Sequence, residues 1–316
     1  MRRGGKMKKK GCFSWLVTIA LIILLVIGGI LGYAYFKVKG TADSIHSPIA
    51  GREKSDLRDK GVDVKNKDAI SVALFGVDAN AKRLSEGDHG RTDTILLLSI
   101  NPNNKKTVMI SIPRDTYSEI VGHNSREKIA HAYAYGGAKM AVNSVEKLMN
   151  VPIDYYAAIN MDGMQELIDT VGGVDVVSNA TFTAQGESFV KGQKVHLDGK
   201  KALVFIRSRK EEGAGDDFGR QERQQIVIQG LAHKLLSAES VTKFDGILKA
   251  TSKNVITDMT FSDLTSLQSG YSKTLDNVEK YQLEGTGKIK DDGLWYFLAD
   301  ENKKQQISDV YKENLK

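Results

Sequence analysis

The sequence has almost no cysteine, and this scarcity excludes two kinds of chemistry from most of the chain. Cys12 is the only cysteine among 316 residues. No disulfide can form in the rest of the chain, and neither a zinc–thiolate site nor a thiol nucleophile is available there. The chain must therefore be held together by a hydrophobic core, and its length suits one sizeable domain.

Acidic residues are missing from the first ten positions, which hold six basic ones: Arg2, Arg3, Lys6, Lys8, Lys9 and Lys10. The formal net charge of the whole chain is +6. The tail accounts for all of it, and the remainder is neutral. A neutral domain lacks the broad basic face that nucleic-acid binding requires. We expect no nucleic-acid partner, and we expect arginines that act locally on a specific anion.

Charged residues are also missing from residues 13–36, an apolar run long enough to cross a bilayer, which takes ~20 residues. The apolar core of a cleaved signal peptide is shorter, ~7–15 residues. The basic flank marks the cytoplasmic side. The sequence predicts a cytoplasmic tail (1–12), a single transmembrane helix (13–36) and an extracellular remainder. Aromatic side chains flank the run, as is typical of membrane interfaces: Trp15, Tyr33, Tyr35 and Phe36.

Residues 37–67 are polar and show no sustained period, which predicts an extracellular linker. Beyond them, apolar runs of strand length alternate with helical patterns, which predicts an α/β domain over residues 68–316 with a three-layer α-β-α arrangement. The strands at 94–100 and 107–112 form a hairpin, so the central sheet is mixed. The other predicted strands are 69–77, 155–160, 174–177 and 281–283, and the predicted helices are 138–149, 162–170, 198–206, 219–237, 240–250, 262–274 and 300–315.

Arginines are concentrated around the helix predicted to begin at Gly219. A helix start already carries partial positive charge, so arginine is favourable there if an anion binds to both. The sequence predicts a phosphate or pyrophosphate site, and the alternative is a set of weak surface ion pairs. A joint role for the first two arginines requires an extended segment, in which residues two apart share a face. The residues are Arg207, Arg209, Arg220, Arg223 and, one turn after Arg220, Gln224.

Two carboxylates flank the first two predicted strands. Asp78 ends the first strand and Asp93 precedes the second. If these strands are antiparallel neighbours, both side chains emerge at one edge of the sheet, together with Arg91 and Arg114. Two hard oxygen ligands with open positions suit Mg²⁺ and a phosphate. The alternative is that each Asp only ends or caps an element.

Five ordered motifs resemble the LytR–CpsA–Psr family of membrane-anchored proteins. The resemblance covers residues 68–316, and the motifs are Gly-Arg-Thr-Asp-Thr (90–94), Ser-Ile-Pro-Arg-Asp-Thr (111–116), Lys-Ile-x-His-Ala-Tyr-Ala-Tyr-Gly-Gly (128–137), Arg-Ser-Arg-Lys (207–210) and Asp-Phe-Gly-Arg-Gln-Glu-Arg-Gln (217–224). The resemblance implies transfer of an anionic glycopolymer, such as teichoic acid or capsule, from a polyprenyl-pyrophosphate carrier to peptidoglycan at the cell membrane.

The resemblance also implies roles for individual residues. Mg²⁺ is expected on Asp78 and Asp93, while Asp93 and Asp115 are candidate proton acceptors and Arg114 a catalytic cation. His131 is expected to be packed or hydrogen-bonded. The lipid is expected to lie between the sheet and the helices at 138–149 and 162–170. Pyrophosphate contacts are expected from Arg91, Arg114, Lys128, Arg207, Arg209, Asp217, Arg220, Arg223 and Gln224.

Three other functions stay open at this point. A polyprenyl-pyrophosphate hydrolase would use the same site with water in place of the sugar hydroxyl. A cell-wall polymer-binding or scaffolding protein would not need the aspartate pair. A transcription regulator is disfavoured by the predicted topology, because only the short basic tail faces the cytoplasm.

Overall fold

The computed structural model describes residues 39–40, 43–78, 89–237, 246–247, 249 and 252–316. In chain order the strands are β1 (Ile70–Asp78), β2 (Arg91–Asn101), β3 (Lys106–Ser111), β4 (Tyr117–Ile120), β5 (Ser125–Lys128), β6 (Tyr155–Asn160), β7 (Val174–Val177), β8 (Phe182–Ala184), β9 (Glu187–Phe189), β10 (Lys194–Leu197), β11 (Val255–Thr257), β12 (Val278–Gln282), β13 (Gly285–Ile289) and β14 (Trp295–Ala299). The α-helices are α1 (His131–Met149), α2 (Met161–Thr170), α3 (Gly199–Arg207), α4 (Asp216–Leu235), α5 (Phe261–Gly270) and α6 (Glu301–Glu313).

A mixed six-stranded sheet forms the centre of the fold, with the order β11-β6-β1-β2-β3-β12. The predicted hairpin of β2 and β3 is confirmed, with Ile100 opposite Thr107. β1 is antiparallel to β2 and parallel to β6, and β3 is parallel to β12. The carboxyl ends of β1, β3, β6 and β12 therefore meet the start of β2 at one edge of the sheet. Ligands commonly bind at such an edge in α/β folds.

Helices pack on both faces of this sheet because β1, β2 and β3 are apolar on both sides. One face packs against α1 and α6, where Phe75, Leu97 and Ile110 share a core with Val145 and Tyr311. The other face turns toward α2, α4 and α5. Burial on both sides explains why these strands read as continuous apolar runs in the sequence.

The starts of two helices differ from the sequence prediction. α1 begins at His131 and has non-helical backbone at Gly136 and Gly137, where φ of Gly137 is +58°. α4 begins at Asp216 rather than at Gly219, after Gly215 in a left-handed conformation. A Cβ on Gly219 would lie 2.3 Å from the carbonyl oxygen of Ala214. The glycine therefore permits a close backbone approach inside the helix and does not begin it.

The predicted linker is largely part of the folded domain. Ile45, Ile49 and Val64 are buried. Arg52 pairs with Glu146 at 2.7 Å and Arg58 pairs with Asp154 at 2.6 Å. The folded domain therefore begins near residue 43, and the prediction of a free linker up to residue 67 is wrong. It rested on polarity, but these charged side chains find partners in the domain.

The predicted tail and transmembrane helix lie outside the described residues, and so does most of the helix predicted at 240–250. Within the part of the chain that the structure describes, no helix combines the length and apolar character needed to cross a membrane.

We predict that Asp258→Asn stabilises the protein at neutral pH. Burial raises the pKa of Asp258 from 3.8 to about 6. Its carboxylate accepts a hydrogen bond from the Tyr156 N–H at 2.8 Å, which an asparagine Oδ1 would retain. The contribution of Asp258 to stability is therefore most favourable below pH ~4 and is lost as pH rises from ~4 to ~6. We expect the variant to gain ~2 kcal/mol at pH 7.5.

Urea unfolding at pH 4 and at pH 7.5 tests this expectation. The gain of Asp258→Asn should vanish at pH 4, where the folded wild-type side chain is already protonated. Asp309→Asn serves as the control, because that exposed side chain pairs with Lys312 at 3.4 Å and should change stability little at either pH. Equal stability of wild type and Asp258→Asn at pH 7.5 would contradict the argument.

Candidate active site

A β-bulge places the first acidic residue of the site. Gly76 lies opposite Thr94 and Val77 lies opposite Thr92, so Asp93 is the extra residue of β2. A Cβ on Gly76 would lie 2.9 Å from the Cβ of Thr94, which explains a glycine at this point. Bulges redirect side chains at sheet edges. The Asp93 carboxylate here accepts a hydrogen bond from Arg114 at 2.7 Å.

Arg114 lies at the centre of a charged cluster just after β3. Besides Asp93, its Nε lies 3.5 Å from the Asp115 carboxylate, and Lys128 on β5 approaches Asp115 to 2.8 Å. Partial burial acts to lower the pKa of Arg114, but Asp93, Asp115 and Asp217 together raise it. The guanidinium is therefore charged at every physiological pH, and the structure brings it together with Lys128 as predicted.

Two more arginines reach the same cluster from the loop before α4 and from α4 itself. Arg209 and Arg220 lie 3.3 and 2.9 Å from one oxygen of Asp217. Burial, together with the charges of Arg114 and Arg209, lowers the pKa of Arg220 against the opposing effect of Asp217. Three cations, Arg114, Arg209 and Arg220, are thus close enough to repel one another. Such an arrangement is typical of an anion site.

The first turn of α4 carries Asp216 and Asp217, so this helix start does not fit the prediction of an anion bound directly on its N-terminal amides. Acidic side chains already complement the helix dipole there. The cluster instead uses Arg220, one turn into the helix, with a side chain only 13% exposed. Arg220 was predicted as part of the site, and the packing of α4 against the rest of the domain, not the helix start, brings it to the cluster.

Arg223 does not fit its predicted role as a pyrophosphate contact. Its side chain is 0% exposed. The guanidinium donates to the carbonyl oxygens of Phe205 at 2.8 Å and Ala214 at 2.7 Å, and also to that of Ser208. It lies 4.8 Å from the ring centre of Phe182. Burial lowers its pKa to about 10, so it stays charged at neutral pH. Arg223 fixes the loop that carries Arg209.

The other residues predicted to contact pyrophosphate are Arg91, Arg207 and Gln224, and they occupy different environments in the structure. Arg91 lies opposite Asp78 where β1 and β2 meet, and both are exposed. Arg207 is exposed and is the last residue of α3, which ends at its C-cap Ser208. The joint role predicted for Arg207 and Arg209 required both residues to lie in one extended segment, and the helical position of Arg207 does not meet this requirement. Gln224 is buried on α4.

An apolar cavity of about 370 Å³ opens between the sheet and α2, α4 and α5. Val72, Leu74 and Leu98 line it from the sheet. The prediction that residues 162–170 line a lipid slot agrees with this cavity. The prediction for residues 138–149 does not, because α1 packs on the opposite face of the sheet. On α4 the cavity wall contains Gln224, Val227, Ile228, Leu231, Ala232 and Leu235.

Two buried polar atoms near the start of α4 have no partner among the described residues, namely Nε of Arg220 and Oε1 of Gln221. Buried polar groups are normally bonded to protein, water or ligand. The sequence analysis did not single out Gln221, although this residue lies inside the fifth motif. Its burial next to Arg220 distinguishes it from its polar neighbours, and burial is not visible in the sequence.

The predicted metal ligands are compatible with a magnesium ion. Asp78 and Asp93 lie on neighbouring antiparallel strands at the same edge, as the prediction required. In the described ranges, no group of three or more His, Cys, Asp or Glu side chains could hold a metal. A cation on these two carboxylates would therefore take its other ligands from water and phosphate, which is the usual coordination of Mg²⁺.

The arginine cluster and the apolar cavity share helix α4, and together they define a site for an amphipathic anion. The chain belongs to the LytR_cpsA_psr family, whose model matches residues 32–313. Among its relatives, the polyisoprenyl-teichoic acid–peptidoglycan teichoic acid transferase TagU of Bacillus subtilis (strain 168) is 42% identical over 318 residues, covering 100% of this chain and 99% of the relative.

Solved structures agree with the fold. The crystal structure of B. subtilis TagU has a TM-score of 0.64 at 39% identity, covering 79% of this chain and 98% of that one. The structure of TagT bound to LIIa-WTA has a TM-score of 0.70 at 29% identity, covering 85% of this chain and 99% of that one. The family resemblance inferred from the five motifs is confirmed.

Proposed function

We propose that this protein transfers an anionic glycopolymer of the teichoic acid type from a polyprenyl-pyrophosphate carrier to a sugar hydroxyl of peptidoglycan. One observation carries the proposal: α4 contributes both to the arginine cluster and to the apolar cavity. Arg220 lies in the cluster, and Gln224, Val227 and Leu231 continue along the cavity wall. A ligand with a pyrophosphate head and a long apolar tail matches this order.

In the proposed reaction, the acceptor oxygen attacks the phosphorus that bears the glycopolymer, and polyprenyl phosphate leaves with the bonding electron pair. Arg114, Arg209 and Arg220 neutralise the charge that develops on the phosphate oxygens. Asp217 and Asp93 hold the guanidinium groups in position. Mg²⁺ on Asp78 and Asp93, when bound, would add a Lewis acid for the phosphate oxygens. Arg91, Arg207 and Lys128 supply further positive charge around the cluster.

We also propose that residues 13–36 anchor the protein in the cell membrane, with the N-terminus in the cytoplasm and the domain outside. The charge-free apolar run and its basic flank support this orientation. A lipid-linked donor is confined to the same membrane. An anchor therefore keeps the cavity close to its substrate.

The direct test combines the purified full chain, a lipid-linked polymer, Mg²⁺ and peptidoglycan strands, followed by mass analysis of the products. We expect a phosphodiester between polymer and peptidoglycan and the release of polyprenyl phosphate. Release of the polymer without attachment would identify a hydrolase instead. Binding of the donor without any product would identify a polymer-binding protein.

A cavity-filling variant tests where the lipid lies. In Val227→Trp the larger side chain would occupy the space of about two methylene groups of the lipid, each contributing ~0.8 kcal/mol when buried. We expect KM for a long-chain donor to rise roughly tenfold. KM for a donor with a very short prenyl chain should change little. The control is Val190→Trp, at a position that is 42% exposed. If Val227→Trp leaves KM for the long-chain donor at its wild-type value, the lipid lies elsewhere.

A further inference from the structure

A carboxylate on β5 organises a polar network beside the arginine cluster. Glu127 accepts hydrogen bonds from Nδ1 of His131 at 2.6 Å, from the Ser125 hydroxyl at 2.7 Å and from the Tyr135 hydroxyl at 2.9 Å. Partial burial acts to raise the pKa of Glu127, but these hydrogen bonds lower it. Glu127 is therefore an anion at neutral pH.

This network fixes the tautomer of His131. Because the anionic Glu127 can only accept, Nδ1 of the imidazole carries the proton and Nε2 presents a lone pair. Among the described residues no side chain or backbone group bonds Nε2, and the His131 side chain is 23% exposed. A histidine held in this way by a carboxylate is arranged to accept a proton from a ligand.

The backbone places His131 at the rim of the arginine cluster. Ala130 donates its N–H to the Arg114 carbonyl at 3.1 Å and accepts from the Thr92 N–H at 3.3 Å. Thr92 stands between Arg91 and Asp93 on β2. The residue that precedes His131 is thus bonded to both strand ends that carry the site.

The other candidates for proton transfer are already engaged with cations. Asp93 accepts from Arg114 at 2.7 Å. Asp115 lies 2.8 Å from Lys128 and 3.5 Å from Arg114. Both carboxylates are therefore occupied by cations. His131 instead bonds to an anion through Nδ1, which leaves Nε2 available to a ligand.

We propose that His131, held by Glu127, is the general base that activates the acceptor hydroxyl. The inference rests on the proposed transferase function. Nε2 takes the hydroxyl proton as the acceptor oxygen forms its bond to phosphorus. The bond from phosphorus to the leaving polyprenyl phosphate oxygen breaks at the same time, and its electron pair departs with that oxygen. The imidazolium then returns its proton to water.

Several titratable and charged groups surround His131 and bear on its pH dependence. Tyr135 belongs to the same helix and stacks on His123, from the turn after β4, with ring centres 4.0 Å apart. Glu127 approaches from β5. Arg91 and Asp93 on β2, and Arg114 after β3, flank the backbone groups bonded to Ala130. Among these groups, Glu127 is the one that forms a hydrogen bond with His131.

The test measures transfer by the full chain in lipid vesicles, as a function of pH, for wild type, His131→Asn and Glu127→Gln. We expect His131→Asn to lower kcat roughly 10²–10⁴-fold, as loss of a general base does. Donor affinity should be unchanged. The wild-type kcat should fall as the pH is lowered, as it does when a general base becomes protonated, and this decrease should be absent in His131→Asn. In Glu127→Gln the decrease should move to lower pH, because the anion that favours the imidazolium is gone.

A second histidine–carboxylate pair provides the matched control. Nδ1 of His196 lies 3.0 Å from Asp175 in the two-stranded sheet of β7 and β10, and both side chains are exposed. His196→Asn should keep the wild-type kcat and pH profile. The proposal is overturned if His131→Asn keeps wild-type kcat, or if donor affinity falls as much as kcat. If His131→Asn does not fold, an unshifted profile in a folded Glu127→Gln overturns it. An inactive wild type would instead refute the transferase function.

Discussion

Replacing Arg114 with alanine is expected to lower kcat/KM roughly 10²–10³-fold, the usual loss when one preorganised donor to a developing negative charge is removed. Arg114 is the cation that links both halves of the cluster, since Asp93, Asp115 and Asp217 all raise its pKa. Its side chain is 29% exposed, so its ion pairs contribute little to stability. The melting temperature should therefore change by only a few degrees.

Arg114→Lys should restore only part of the activity, because lysine offers a point charge instead of a planar fork of donors. Lys106→Ala is the matched control. Lys106 pairs with Glu279 at 2.8 Å and has a similar exposed fraction, 27%, but it lies at the opposite end of β3. The measurement is transfer to peptidoglycan beside thermal melts of all three variants. Normal activity in Arg114→Ala would show that the cluster is a set of structural ion pairs.

Replacing Arg223 with methionine is expected to destabilise the protein by about 3–5 kcal/mol, because each buried acceptor left without its donor costs roughly 1–3 kcal/mol. The substitution leaves the carbonyl groups of Phe205, Ser208 and Ala214 without their donor. For a domain of this size such a loss lowers the melting temperature by ~10–15 °C. Activity should fall as well, because the loop of Arg209 loses its support.

The outcome decides between the two roles considered for Arg223. Arg126→Met is the control, since that exposed arginine lies 5.4 Å from the Tyr117 ring centre and should tolerate the change. A normal melting temperature for Arg223→Met, together with weak binding of lipid pyrophosphate, would favour the direct contact predicted from the sequence. Lowered stability with unchanged affinity at low temperature would favour the structural role.

The balance of charges in the site could not be read from the sequence alone. The motifs contain several arginines, from which we predicted an anion site, with weak surface ion pairs as the alternative. In the structure Asp217 pairs with Arg220 in the same motif, and it also pairs with Arg209. Asp93 pairs with Arg114 from a different motif. Pairs between motifs depend on the fold, and no single motif encodes them.

The buried polar residues show the same limit. Arg223 and Gln224 are neighbours in one motif, yet the first bonds to loop carbonyl groups and the second lines the apolar cavity. Successive residues of a helix face directions ~100° apart. The elements that pack around α4 decide which side of the helix is buried, so the sequence of the motif does not show it.

The sequence by itself determined the α/β class, the hairpin of β2 and β3, the strand ends that carry Asp78, Asp93 and Arg114, and the family. These features depend on local periodicity and short motifs, which neighbouring residues specify. The tertiary structure decided the rest: that residues 43–67 belong to the domain, that the cavity lies on the face away from α1, and that the backbone of Ala130, next to His131, bonds to Arg114 and Thr92. Contacts between distant segments form only when loops close and apolar faces are buried, so no local pattern encodes them.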